Sequence, residues 1–173
     1  MKKVFLSLAC ILGALSTWAD EGMWLLPMLQ KFNEEAMRKN YGRTFTKAEA
    51  ELLFSAMLEA NAADGVTGFY KVFVPAADGE TYIGMGALNP NDDGALEIEY
   101  MLLPEYWNRG YGTALAETLL RTAKASGLSR TVEAITDPDN TFSKRILQNA
   151  GFALVKRYLN DDGSPAELYR KEL

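Results

Sequence analysis

The chain has 173 residues, 48% hydrophobic and 24% charged, with a formal net charge of −5. That length fits one domain with a proper core, and the acidic balance argues against a nucleic-acid footprint while mildly favouring a cationic amine as partner. There is no histidine, and Cys10 is the single cysteine. Ser-His-Asp and Cys-His catalysis, most zinc sites and any internal disulfide are therefore excluded.

Lys2 and Lys3 precede the apolar run Val4 to Leu15, and Thr17-Trp18-Ala19 then offers small residues before Asp20. This is the layout of a secretory signal peptide, with a buried N-terminal helix or strand as the alternative. Twelve apolar residues are too few to cross a hydrocarbon core of about 30 Å, so no stable membrane span is expected.

Beyond the leader, Gln30 to Lys39 reads as a helix with Leu29, Phe32, Ala36 and Met37 on one face. Thr46 and Glu49 have the spacing of a capping box at the head of a second helix, Lys47 to about Asn61. Strand signals follow at Gly68 to Pro75, Thr81 to Leu88 and Ala95 to Leu103, separated by Ala76 to Gly79 and Asn89 to Gly94, which makes an antiparallel meander. Pro104 ends it. Gly112 to Ser126 is an amphipathic helix with Ala114, Leu115, Leu119, Leu120 and Ala123 inward. Arg130 to Thr136 reads as a strand, Thr141 to Asn149 as a helix, Phe152 to Leu159 as a strand and Ala166 to Lys171 as its hairpin partner. No internal repeat, low-complexity tract or interdomain linker interrupts this order. Periodicity supports a single α/β domain with a mixed central sheet and helices on both sides.

Between the third strand and its helix lies Leu102-Leu103-Pro104-Glu105-Tyr106-Trp107-Asn108-Arg109-Gly110-Tyr111-Gly112-Thr113-Ala114. Glycines in such a turn let successive backbone N–H groups face one concavity, and the helix adds its positive end, a combination suited to a pyrophosphate. A Rossmann loop would need a third glycine, and a P-loop would need Gly-Lys-Ser/Thr. As a bare Gly-x-Gly the signal is weak, and an ordinary tight turn explains it better.

The run Pro104 to Ala114 resembles motif A of the GNAT N-acetyltransferases, in a variant with Trp107 in the first place. Asp137-Pro138-Asp139-Asn140-Thr141-Phe142-Ser143, then Leu147, Gly151 and Phe152, resemble the family's downstream segment. Phe32-Asn33 through Met37, and Gly42-Arg43 to Glu49-Ala50, resemble the first-helix region of the branch that holds ribosomal-protein N-terminal acetyltransferases. The resemblance spans about 140 residues in the family's order. It implies a GNAT-type mixed sheet and an acetyl-CoA-dependent N-acetyltransferase acting on a primary amine, a protein N-terminus or a small amine, with no metal. A GNAT-like shell that binds without turnover is the alternative.

Residue by residue, the resemblance implies that Asn108, Arg109, Gly110, Tyr111, Gly112 and Thr113 hold the CoA pyrophosphate. Leu102 and Leu103 would pair through their backbone with the pantetheine arm, and Asn140 and Ser143 would flank the thiol. Asn140 also reads as a helix cap. Two departures stand out. Many members carry a tyrosine acid at the position of Leu147, so the thiolate must turn to Ser143, to water or to no acid. The family also begins with a strand where this chain has its leader, so the sheet is expected to lack its first strand if the leader stands apart from the fold. For the amine, Glu97 and Glu99 alternate onto one face of the strand entering the cofactor loop and are the candidate bases, with Glu133 secondary.

Residues Ala19 to Leu29 resemble the mature start of secreted bacterial serine dipeptidyl-peptidases. Those enzymes need a histidine, so only a leader or fusion junction is implied there. The expected division is residues 1–28 as leader and junction and 29–173 as one acetyltransferase domain. The leader points to export, whereas dependence on acetyl-CoA points to the cytoplasm. The acceptor and the oligomeric state are not legible.

Overall fold

In a computed structural model, the structure describes residues 2–5, 16–17, 61, 65–77, 79–161 and 163–173. The helices expected at Gln30 to Lys39 and Lys47 to Asn61 lie outside the described residues, apart from helical Asn61. The strands are β1 (Lys2–Phe5), β2 (Ser16–Thr17), β3 (Gly68–Ala76), β4 (Gly79–Pro90), β5 (Leu96–Leu102), β6 (Thr131–Thr136), β7 (Ala153–Leu159) and β8 (Pro165–Glu172). Helix α1 (Tyr111–Ser126) joins β5 to β6, and α2 (Thr141–Asn149) joins β6 to β7.

These strands form one sheet in the order β2-β1-β3-β4-β5-β6-β8-β7. Pairing is parallel at β1/β3 and β5/β6 and antiparallel elsewhere. The meander β3-β4-β5 and the closing hairpin β7-β8 stand where the residue pattern places them. The start of the chain does not. Lys2–Phe5 pairs with Tyr70 to Phe73 of β3, so a sheet lacking its first strand is corrected: the opening residues supply a strand at that edge. The basic, apolar composition that suits an export signal also suits a strand, and the pairing partner lies more than sixty residues away.

One face of the sheet carries the core. Tyr70 and Val72 of β3, Leu88 of β4, Leu96, Ile98 and Leu102 of β5 and Val132 and Ala134 of β6 point to the same side, as period-two alternation requires. Helix α1 covers them with Leu115, Ala116, Leu119, Leu120 and Ala123, a stripe at helical spacing that also takes in Ala116. Each leucine so buried contributes about 1.5–3 kcal/mol. Leu147 of α2 and Phe152 complete the cluster.

An asparagine shapes the β4–β5 turn. Asn91 Oδ1 accepts from the N–H of Asp93 at 3.1 Å and of Ala95 at 2.9 Å, an Asx turn that closes the loop together with Gly94, whose φ of 79° is left-handed. Its Nδ2 donates to Glu133 of β6 at 2.7 Å, tying the turn across β5.

The hairpin is anchored to α2 by Glu167 of β8, a buried carboxylate. It accepts from Arg157 Nε at 2.8 Å and Tyr169 Oη at 2.9 Å, and pairs with Lys144 Nζ at 3.0 Å. Burial alone raises its pKa; the hydrogen bonds from Arg157, Lys144 and Tyr169 more than offset this and hold it at about 2. A depressed pKa adds stability that is complete above the ordinary 4.5 and is lost as pH falls toward about 2. Glu167→Gln is expected to lower Tm at pH 7 by roughly 5 °C, the scale of one charged hydrogen bond in a domain of this size. The gap from the parent protein should close progressively below pH 4.5. A melting series across that range checks both the size and the convergence.

Candidate active site

The site begins where two strands stop pairing. β5 and β6 are matched only at Leu96 with Val132 and Glu97 with Glu133. Past that point β5 keeps its bonds to β4 as far as Leu102, and β6 keeps its bonds to β8. The two halves of the sheet separate, leaving Ile98 to Leu102 with an edge that no described strand covers.

The backbone of that edge can be assigned from one bond. Leu103 N–H donates to Ile83 O at 2.8 Å, directly opposite it. In an antiparallel pair such bonds alternate, so Glu97, Glu99, Met101 and Leu103 face β4 while Ile98, Tyr100 and Leu102 turn their backbone groups into the gap. Leu102 O is taken by Trp107 Nε1 at 2.7 Å, which leaves the Leu102 N–H facing the opening. Both backbone groups of Leu103 are engaged, since its carbonyl accepts from Tyr106 N–H at 2.9 Å. Leu103 thus spends its backbone groups within the protein, while the Leu102 N–H and the backbone of Tyr100 face the gap. The residue pattern could not reveal this, because bond direction depends on register with β4.

The loop that follows descends through a 3-10 turn, Pro104–Tyr106, and then takes two left-handed residues, Asn108 (φ 57°) and Gly110 (φ 80°). Gly110 is the N-cap of α1. It provides no side-chain cap, and the first turn holds no acid. Helix geometry leaves the N–H groups of Tyr111, Gly112 and Thr113 without intrahelical partners, and the helix dipole adds positive potential there. A Cβ on Gly110 would meet nothing within 4 Å, so its outer side is open to an approaching ligand. Arg109 lies over the Tyr106 ring at 5.7 Å, and Tyr106 meets Tyr111 edge-on at 6.2 Å, which braces the loop on its solvent side.

Gly112 differs from Gly110. A Cβ there would lie 2.8 Å from Ile146 Cδ1 of α2. Its side-chain position faces helix packing, and only its N–H serves the loop.

Helix α2 is capped by Asn140, whose Oδ1 accepts from Ser143 N–H at 3.1 Å. Ser143 Oγ is 2.9 Å from the hydroxyl of Tyr100 on β5, a bond that crosses the separated strands. Burial pushes the Tyr100 phenol up, and Ser143 partly counters this. Tyr100 was absent from the candidates because it alternates with core residues and reads as one of them. Leu147 is fully buried in the core and carries no acid or hydroxyl.

The opposite face of β5 holds Glu97 and Glu99, brought together with Glu133 of β6. Glu133 is buried and saturated: Arg170 donates from Nε at 2.7 Å and also from Nη2, and Asn91 donates to its other oxygen. Glu97 receives no hydrogen bond from any described residue. Burial first, then the neighbouring charges of Glu99 and Glu133, raise its pKa to about 7. Glu99 is the more exposed residue of the two, and partial burial of its carboxyl also raises its pKa. The phenol of Tyr158 on β7 is raised by burial and by Glu97 and Glu133, which puts it at the edge of the same cluster. No group of three or more potential metal ligands occurs among the described residues, and no described helix is long and apolar enough to cross a membrane.

Comparison with known proteins agrees with this geometry. A family model described as an acetyltransferase (GNAT) domain matches residues 16–153. No curated protein sequence matches the chain significantly. Among solved structures, the fold is similar to an acetyltransferase from Agrobacterium tumefaciens (TM-score 0.68, 18% identity, 88% of each chain). It is also similar to a ribosomal L7/L12 alpha-N-protein acetyltransferase in complex with coenzyme A (0.66, 16%, covering 86% of this chain and 88% of that one). A third is the aminoglycoside acetyltransferase AAC(6')-Ib in complex with coenzyme A (0.67, 18%, 86% and 88%). At such identities the likeness is one of fold.

The two glycines of the loop should separate by experiment. Gly112→Ala must push Ile146 aside and is expected to lower Tm by a few degrees, about 1–3 kcal/mol of overpacking. Gly110→Ala meets no atom but must hold a left-handed φ, costing about 1 kcal/mol. Gly112→Ala/Ile146→Val should regain stability that Ile146→Val alone does not, a coupling measurable by a double-mutant melting cycle.

Proposed function

Because this chain belongs to the GNAT acetyltransferase family, we propose that it is an N-acetyltransferase that moves the acetyl group of acetyl-CoA directly to a primary amine. The observation that carries the reading is the separation of β5 from β6 beside the uncapped start of α1. A strand edge and a helix terminus side by side suit a ligand with an amide-bearing arm and a pyrophosphate. The backbone N–H groups from Arg109 to Thr113 would take the pyrophosphate, with Asn108 and Gly110 giving the loop its curvature. Tyr100 and Leu102 would bond the arm as a neighbouring strand does. Asn140 and Ser143 would stand beside the thioester. The coenzyme A in the two neighbours named above supports this choice of co-substrate.

The acceptor would approach from the face of β5 that bears Glu97 and Glu99. A free α-amine with a pKa of about 8 is roughly one-tenth neutral at pH 7, whereas a lysine offers far less. A base near neutrality therefore suffices for an α-amine, and Glu97, raised to about 7, fits that task. Glu99 keeps the approach negative. The Leu102 N–H faces the gap where the oxyanion would form and would supply the donor that the tetrahedral intermediate needs. The neighbours acetylate a ribosomal protein's α-amine and aminoglycosides, so a protein N-terminus or a small amine remains the proposed acceptor class. We place the working protein in the cytoplasm, where acetyl-CoA is made.

Titration calorimetry with acetyl-CoA tests the reading. Stoichiometric binding is expected; no heat of binding would sink it, and binding without turnover on any amine would favour an inactive shell. Glu97 gives a second test. Turnover should rise as pH passes through about 7, and Glu97→Gln should remove that step, leaving only the rise set by the acceptor amine, and cost about 100-fold in kcat. A carboxyl with a raised pKa makes the fold lose stability between the ordinary 4.5 and about 7. Glu97→Gln should therefore melt higher than the parent protein at pH 8 and level with it at pH 4, losing activity while gaining stability.

A further inference from the structure

We propose that Trp107 is a positioning residue that ends strand-like pairing along the open edge of β5 and turns a bound arm toward the start of α1, a role that rests on the acetyltransferase reading above. Its indole reaches back over five residues, and Nε1 donates to Leu102 O at 2.7 Å. That carbonyl is the last acceptor that β5 turns into the gap. A strand laid on such an edge meets donors and acceptors in alternation. It can use both backbone groups of Tyr100 but only the N–H of Leu102, because the protein's own side chain takes the next rung. Trp107 is itself fastened. Its backbone is extended, with φ −69° and ψ 159°, and its N–H donates to Pro104 O at 3.1 Å. The neighbouring Tyr106 faces the other way, against Arg109 and Tyr111. The indole is nonetheless 39% exposed, so it is pinned by its ring nitrogen rather than sealed in the core.

The order of groups along the co-substrate matches the order along the chain. Coenzyme A carries in sequence a pyrophosphate, a carbon bearing two methyl groups, and then two amides. The chain offers in sequence the uncapped N–H groups at the start of α1, the half-exposed indole of Trp107, and the edge groups of Leu102 and Tyr100. The dimethyl carbon is the apolar branch between charge and amides. The indole face is an apolar surface between the two matching protein elements, and packing the branch on it removes apolar area from water. The hydrogen bond adds register. With Leu102 O free, the same amides could pair one step further along, since backbone bonds alone do not fix where a strand sits on an edge. With Leu102 O taken, that second register has no acceptor. The arm must stop pairing at Leu102 and bend, which is what a ligand joining a strand edge to a helix terminus has to do.

Binding measurements on the full chain test this without an acceptor. Trp107→Phe keeps an aromatic ring and removes the donor. Its affinity for CoA should fall about tenfold, the scale of one hydrogen bond. Its affinity for 3′-phospho-ADP, which carries the pyrophosphate but no arm and is measured by competition, should stay at the parent value. Amide exchange at saturating CoA gives a second reading. In the parent protein CoA should protect the N–H groups of Tyr100, Leu102 and Tyr111 to Thr113. In Trp107→Phe protection should fall at Tyr100 and Leu102 and persist from Tyr111 to Thr113. An indole that merely props up the loop would lower all of these together, and that result would overturn the proposal. So would an unchanged CoA affinity or unchanged protection at Leu102. Should the nucleotide compete too weakly, the exchange pattern decides. Should Trp107→Phe melt early, the parent protein serves alone: the indole N–H resonance of Trp107 should shift with CoA and not with 3′-phospho-ADP, and an unshifted resonance would count against the role. Failure of the parent protein to bind CoA would instead strike at the acetyltransferase reading.

Discussion

The structure turns on the point where β5 leaves β6. A sheet saves free energy by keeping its ladder paired, so a rift in it must be held open by something else. Here Glu133 holds the closed end. It is buried opposite Glu97 and bound by Arg170 of β8 and Asn91 of the β4–β5 turn, which fastens three segments at one carboxylate. Beyond it each strand has its own reason to diverge. β5 is carried by β4 and by the Trp107 bond to Leu102, and β6 by β8 and the hairpin that Glu167 ties to α2. The exposed edge of β5 is thus the residue of two complete sets of pairings rather than a defect in one.

That constraint assigns unequal roles to residues of one chemical type. Glycines 110 and 112 are two apart, yet one faces open space and the other a neighbouring helix. Backbone groups of Leu102 and Leu103 are adjacent, yet one N–H faces the gap and the other is consumed by Ile83. In each case the deciding partner belongs to a different element, so a motif written along the chain cannot separate them.

Much of the fold was nevertheless legible. The strands and helices from Gly68 onward follow from alternation, helical stripes and turn residues, with ends displaced by only a residue or two. The Asn140 cap could be read because a cap and the N–H that donates to it lie three residues apart. Tyr100 could not be read as a hydroxyl donor to anything, since its partner is 43 residues away and its neighbours on the strand are core. The start of the chain is ambiguous for a different reason. Lys2-Lys3 and an apolar run satisfy two physical demands at once, those of an export signal and those of a sheet edge, and only the pairing with β3 separates them. Removal of residues up to Ala19 would take β1 and β2 away together and leave β3 as the edge, while the matched ends of β5 and β6 would lie two strands distant.

The contrast between Glu97 and Glu133 shows how that closed end also tunes chemistry. The two carboxylates occupy matched positions on neighbouring strands and differ in what surrounds them. Glu133 is satisfied by a guanidinium and an amide, so its charge is compensated where it sits. Glu97 has no such donor and feels both burial and its acidic neighbours, which brings its pKa to about 7. A carboxylate kept short of partners at the closed end of the gap costs stability at neutral pH. The clamp that holds the strands together at Glu133 is therefore also what places a second negative charge beside Glu97. The same arrangement that sets where the sheet opens helps set the pH at which Glu97 takes up a proton.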